Sequence, residues 1–184
     1  DLAEDVDNRI EEFKALVQRT HDAGMKVIID FVPNHVARQY HSDAKPQGVE
    51  DFGENDDNTQ FFTPDNNFYY FNEPFSPGFY LGEGEQQYSE FPAKATGNDC
   101  FSAHPSVNDW YETVKLNYGI NYHNNTWHFS PIPNTWNKMH NIIKYWIGLG
   151  VDGFRCDMAF MVPVEFWNWM IPQIKKEAPE VIFI

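Results

Sequence analysis

What the chain has little of narrows the field first. Basic side chains number 13 against 27 acidic ones, which leaves 184 residues with a formal charge of −14. That balance argues against nucleic acid and an anionic membrane surface as partners, because both demand a basic face. The acidic residues are spread along the chain and form no tail, as on a solvated acidic surface. Apolar runs are short, and none approaches the roughly 20 residues of a membrane-spanning helix. Cysteine is nearly absent: Cys100 and Cys156 make no disulfide framework and are expected to be free thiols. No Met and no targeting segment stands at the front, where Asp1 opens a run that soon turns helical. The closing EVIFI (180–184) reads as a buried strand that stops abruptly, as expected of a piece of a longer protein, so the missing leader says nothing about location.

Aromatics are what the chain has in excess: 6 Trp, 9 Tyr and 16 Phe make 17% of it. They stand among Asn, Gly and Pro, which is not a disordered composition. The length suits one domain with a real core.

Between Val6 and Ala23 the positions Ile10, Phe13, Leu16, Val17 and Thr20 trace one face of a helix, and Gly24 ends it. KVIIDFV (26–32) follows as a strand, apolar almost throughout, which suits a parallel strand covered on both faces. A second helix starts near Asn134 or Thr135, either of which can cap it. Its buried stripe is Trp136, Met139, Ile142, Ile143, Trp146 and Leu149, closed by Gly148 and Gly150. DGFRCDM (152–158) is the next strand. Pro163 suits the first turn of a third helix, Pro172 should kink or divide it, and VIFI is the third strand. The alternation means parallel βα units, in a doubly wound sheet or a (β/α)₈ barrel. Residues 36–133 intervene where a βα loop usually has about 2–6. Within them 61–80 hold nine aromatics between turn formers. We expect a small irregular subdomain there, held by aromatic packing over the C-terminal ends of the strands. The chain then divides into 1–35 (helix and strand), 36–133 (insert) and 134–184 (helix-strand-helix-strand), with no internal repeat.

Two short stretches carry the chemistry. In GVDGFRCDM (150–158), Arg155 and Asp157 are two residues apart and share one face of a strand, with Phe154 and Cys156 on the other. A guanidinium beside a poorly solvated carboxylate favours its charged form, as a nucleophilic or charge-stabilising carboxylate requires. A structural ion pair accounts for the spacing equally well. In MKVIIDFVPNHV (25–36), Asp30, Asn34 and His35 lie at and just past the strand's C-terminal end, which carries the active site in barrel enzymes. Asn34 can offer an amide oxygen to a hard cation such as calcium, and His35 can donate a hydrogen bond to a substrate hydroxyl. The plainer alternative is a turn at Pro33 and Asn34 with His35 packed beneath the insert. A zinc pair of His35 and His41 lacks suitable spacing and nearby cysteine ligands. His104, His123 and His128 read as loop histidines. An aldolase-like barrel would need a Schiff-base lysine or a phosphate site at a strand end, and neither is visible.

DFVPNH (30–35) followed by GFRCD (153–157) resembles the first two strand-end motifs of the α-amylase family, glycoside hydrolase family thirteen. HDAGMKVIID (21–30) and the long insert fit the same family. The resemblance implies a partial (β/α)₈ barrel, about strands 3 to 5, with the insert as a separate subdomain after the first of these strands. It implies Asp157 as catalytic nucleophile, Arg155 as the cation that holds it ionised, and His35 in contact with the sugar at the cleavage site. It further implies Asp30 as an acidic support from behind and Asn34 as a calcium ligand. VKLNYG (114–119) resembles a degraded form of the short motif near the end of the insert, with Lys115 where an acid is usual. That puts calcium in question. Phe160 and Met161 stand where many amylases have a Lys-His pair, so recognition of sugar beyond the cleavage point is expected to differ.

Retaining glycosidases use two carboxylates about 5–5.5 Å apart. The family's acid/base is a Glu just after the fifth strand. Glu165, in a helix, and Glu180, ahead of a strand, are poor substitutes, so that Glu is expected beyond Ile184. The implied protein is a retaining α-glucan hydrolase acting on α-1,4-linked glucans or maltooligosaccharides, and the resemblance suggests an exported bacterial enzyme as its context. The alternatives are a glucan transferase or isomerase of the same family and a non-catalytic carbohydrate-binding or transporter-associated relative. The isolated piece is expected to be inactive, because that Glu is missing from it, and to self-associate, because three strands cannot close a barrel and leave unpaired edges.

Overall fold

The computed structural model describes residues 4–42, 45–79 and 88–184. Asp1 and Tyr80, the last of the nine aromatics counted above, lie outside the described residues. A single 3-10 turn, Val6–Asn8, leads into helix α1 (Arg9–Asp22). Val17 on its apolar stripe is buried, and Phe13 meets Trp146 edge to face with ring centroids 5.3 Å apart. Leu16 stays exposed, so the stripe is narrower than its periodicity suggests. Gly24, at φ +74°, takes the left-handed conformation that closes the helix, and its N–H donates to the His21 carbonyl at 2.8 Å.

Among the described residues the strands are β1 (Ile28–Phe31), β2 (His35–Ala37), β3 (Tyr70–Phe71), β4 (Ala93–Lys94), β5 (Thr113–Lys115), β6 (Ile120–Asn121), β7 (Thr126–Trp127), β8 (Gly153–Cys156) and β9 (Ile182–Phe183). A three-stranded parallel sheet has the order β1-β8-β9. Helices α2 (Asn134–Gly148) and α3 (Val164–Glu177) supply Trp136, Met139, Ile143, Phe166, Met170 and Ile174 to the apolar cluster that buries Phe31 and Phe154. The opposite face carries Ile28, Asp30, Arg155 and Ile182, all exposed. Burial on both faces, expected for KVIIDFV, is therefore not found within this chain. The strand alternates between faces, and the helices cover only the side of Ile29, Phe31, Phe154 and Phe183.

The long connection is built from three antiparallel two-stranded ladders, β2–β5, β3–β4 and β6–β7. Phe68, Tyr70, Val114, Leu116 and Tyr118 from it join the same apolar cluster as Trp136 and Phe154. Phe75, Ala93 and Ala103 form a second, smaller one. Asn134 and Thr135 do not cap α2. Pro133 holds the N-cap position with no side-chain cap, and Asn134 already lies inside the helix. Their side-chain oxygens instead accept bonds from the Asn67 amide, each at 3.1 Å, which ties α2 to the insert. Pro163 likewise sits one position before α3 rather than in its first turn, and Pro172 does not divide that helix. Its missing N–H removes one helical bond at a cost of about 3 kcal/mol, but buried Phe166, Met170 and Ile174 anchor the helix on both sides of it. No described helix is long and apolar enough to cross a membrane.

Candidate active site

Parallel pairing of β1 with β8 sets Asp30 directly opposite Arg155. Arg155 Nη1 donates to Asp157 Oδ1 at 2.7 Å and stands 3.5 Å from Asp30 Oδ2. The Asp157 N–H donates to the Phe31 carbonyl at 2.8 Å, so the carboxylate is fixed to the ends of both strands. Immediately after it the chain turns. Met158 adopts the left-handed conformation at φ 50°, which costs a non-glycine residue about 1–2 kcal/mol, and a 3-10 turn, Ala159–Met161, follows. Arg155 is 54% exposed and Asp157 25%, so the poorly solvated setting expected of the pair is not present in this chain. A pair this open adds only about 0–1 kcal/mol to stability. Folding alone gives little reason to hold a carboxylate so firmly on a strained turn.

His35 opens β2 and pairs with Lys115 of β5. Its ring meets Trp110 at a tilt of 64°, centroids 5.5 Å apart. Burial pushes its pKa below the ordinary 6.5, with the Asp157 carboxylate pulling up and the Lys115 ammonium pushing further down. Asn34 Nδ2 lies 3.2 Å from His35 Nδ1. With the amide as donor, the neutral ring carries its proton on Nε2, free to donate outward.

Asn34 is fully buried, and its amide N–H donates to the Gly97 carbonyl at 2.7 Å. Its Oδ1 accepts from Lys115 Nζ at 2.5 Å. Lys115 is only 2% exposed, and its ammonium also reaches the Met161 carbonyl at 3.1 Å and Asp99 Oδ1 at 2.7 Å. Burial lowers the Lys115 pKa from 10.5, and the Asp99 carboxylate opposes that shift. The amide oxygen expected to meet calcium is therefore held by a cation of the chain itself, and the donor set around it does not fit a calcium ion.

Phe160, 83% exposed, and Met161 line a groove of about 650 Å³ together with Cys156, Tyr122 and Trp167. Glu165 lies in the first turn of α3 and Glu180 just before β9, both exposed, where the sequence places them. His41 is exposed with Nδ1 3.3 Å from the Gln39 carbonyl, and no described cluster of three His, Cys, Asp or Glu residues could hold a metal. His104, His123 and His128 fall in loops, with His123 stacked on Phe61 at 3.4 Å. Sequence reasoning missed Asp99, Gly97 and Trp110. The turn formers of TGND (96–99) mark a bend, but no local signal shows that it closes on Lys115 and His35.

The arrangement offers an anionic carboxylate held by a guanidinium, a neutral imidazole beside it and an open groove lined by aromatic and apolar side chains. The alpha amylase catalytic domain family matches residues 8–180. An alpha-1,4-glucan:maltose-1-phosphate maltosyltransferase from Corynebacterium glutamicum is 26% identical over 179 residues, covering 95% of this chain and 18% of that protein. Maltase A1 from Drosophila melanogaster is 26% identical over 174 residues, covering 86% of this chain and 24% of its own length. An alpha-amylase structure from Lactobacillus plantarum has a TM-score of 0.51 at 23% identity, over 95% of this chain and 28% of that one. Cyclic alpha-maltosyl-(1-->6)-maltose hydrolase from Arthrobacter globiformis has a TM-score of 0.52 at 16% identity, over 95% and 30%. These structures speak for the fold alone, and the chain spans about a fifth to a quarter of the length of the curated relatives above. The family match runs from before α1 to the residue ahead of β9's buried lead-in and so contains both strand-end motifs: the chain belongs to the α-amylase family.

Proposed function

We propose that the protein carrying this chain is a retaining enzyme of α-1,4-linked glucans, with Asp157 as its nucleophile. The observation that carries this reading is the 2.7 Å contact from Arg155 Nη1 to Asp157 Oδ1 at the C-terminal end of the parallel sheet, beside His35 and the groove. In this reading β1, β8 and β9 are the third to fifth strands of an eight-stranded barrel. Asp157 attacks the anomeric carbon through its second oxygen and forms a glycosyl ester. Arg155 Nη1 holds one oxygen of the carboxylate in place for attack, and His35 Nε2–H donates to a hydroxyl of the sugar being transferred. A Glu from outside this chain protonates the leaving oxygen, then activates the water or sugar that resolves the ester.

A second reading, transfer to a sugar acceptor rather than to water, is favoured by Phe160. Its exposed ring beside the groove offers a stacking surface to a sugar and no polar group to steer water. The relative from Corynebacterium glutamicum is named a maltosyltransferase and the one from Drosophila melanogaster a maltase, so both outcomes occur among similar proteins.

The test uses the full-length protein. Asp157→Asn should keep the fold and maltooligosaccharide binding while losing nearly all turnover, because a neutral amide cannot form the ester. A fluorinated glycosyl fluoride that forms a long-lived ester should label the wild-type peptide containing Asp157. Wild-type rates in the variant, or a label on another carboxylate, would refute the assignment. Binding without turnover in the wild type would favour a carbohydrate-binding relative. Chromatography of the products on maltooligosaccharides separates hydrolysis from chain lengthening.

A further inference from the structure

We propose that the Lys115 ammonium takes the place of a bound calcium ion in this protein, as a built-in cation that locks the insert to the strand ends. The site at Asn34 then needs no metal. The inference does not depend on the role of Asp157.

Three oxygens from three separate segments converge on one nitrogen. They are Asn34 Oδ1 just past β1, the Met161 carbonyl in the turn that follows Asp157, and Asp99 Oδ1 in the insert. An ammonium has three N–H donors, and each finds one acceptor. Calcium needs about 6–8 oxygens at 2.3–2.6 Å. Here the described side chains and carbonyl offer three, and Nζ occupies the point on which they converge. Asn34 cannot turn its oxygen elsewhere, since its amide N–H is held by the Gly97 carbonyl at 2.7 Å. Lys115 itself is fixed by strand pairing, opposite His35, and is 2% exposed. The charges also settle the choice. Lys115 and Asp99 form a neutral pair, and a divalent ion added beside the ammonium would meet like charge with one carboxylate to balance both.

The arrangement ties the turn after Asp157, the residue before His35 and the insert to one atom. Lys115 is thus a positioning residue for the site, and calcium dependence is the readout that separates this role from ordinary packing.

The experiment measures melting temperature and activity of the full-length protein in excess EDTA and in millimolar calcium chloride. Radioactive calcium uptake is followed by equilibrium dialysis. The wild type should melt at the same temperature in both media. Lys115→Ala removes the cation and opens a cavity facing three oxygens, where waters can supply the remaining ligands of a calcium ion. It should melt several degrees lower in EDTA and recover part of that loss in calcium. Asp99→Asn, a milder change that keeps the fold, should melt lower than the wild type. It should show no recovery in calcium, since Lys115 still fills the site. The proposal is overturned if the wild type binds a calcium equivalent that Asn34→Ala removes, if calcium restores nothing to a folded Lys115→Ala, or if Asp99→Asn melts like the wild type. Should Lys115→Ala not fold, the dialysis and the Asp99→Asn melting curve decide alone.

Discussion

A single methyl group at Gly97 should cost this protein both stability and activity. A Cβ there would stand 2.5 Å from Thr113 Oγ1, 2.8 Å from His35 Cβ and 3.0 Å from His35 Cγ. Thr113 can rotate away only by giving up two hydrogen bonds, the one it accepts from the Gly97 N–H and the one it donates to the Trp110 carbonyl. His35 Cβ cannot rotate at all, because β2 fixes it opposite Lys115. The backbones must therefore part. Overpacking of this kind, with the strained bonds added, comes to about 2–3 kcal/mol. Relief of the His35 Cβ contact from 2.8 Å to an ordinary distance of about 3.5–4.0 Å, taken by His35 alone, moves the ring by roughly 0.7–1.2 Å. A displacement of about 1 Å at a positioning group can cost about 10²-fold, so kcat/KM for Gly97→Ala should fall about 10- to 100-fold. Denaturant unfolding and steady-state rates on maltooligosaccharides of the full-length protein supply both numbers. Unchanged stability would mean that the strands separate freely here. Lost stability with unchanged kcat/KM would mean that His35 does not touch the sugar, and its assignment would fall.

Two further outcomes can be checked. Glu90→Leu would strand the buried Arg38 guanidinium, now 2.7 Å from Glu90 Oε1, and should cost about 3–5 kcal/mol in denaturant unfolding. Adding Arg38→Met should return most of that loss, and a double variant no better than the single one would show that Arg38's bonds to the Tyr111, Lys94 and Thr113 carbonyls matter more than its charge. His35 has a folded pKa below its ordinary 6.5, so the unfolded chain takes up its proton more readily. Stability from this group is full above that value and declines as pH falls through the lower folded pKa. His35→Gln should flatten that decline, and an identical pH profile in the variant would refute the burial argument.

Much of the frame was legible because parallel βα units keep each signal local. Gly24 announces the end of α1, Gly148 and Gly150 that of α2, and the Arg155–Asp157 spacing foretells their contact, although the strand expected over 152–158 ends at Cys156 and Asp157 lies in the turn beyond it. The failures share a cause, which is that distant groups override local preference. Asn134 and Thr135 look like caps because they are short and polar at a helix start, but Asn67 claims their oxygens. Pro172 looks like a break, but buried neighbours on both sides hold α3 together. Lys115 is conspicuous in the sequence as a misplaced base. Its meaning becomes visible only when Asn34, Asp99 and Met161 close around it.

The insert's aromatic side chains reach into the same core as the helices, and Trp136 Nε1 donates to the Tyr118 carbonyl at 3.1 Å. A segment anchored in this way cannot swing open as a lid without baring the interior of α2 and α3. Nor can it be exchanged for a relative's insert at its two ends alone. A chimera cut at residues 36 and 133 would bring in foreign side chains against Trp136 and Phe166. A working exchange has to transfer the facing surfaces of both helices with it, so the unit that can be grafted is the insert together with α2 and α3.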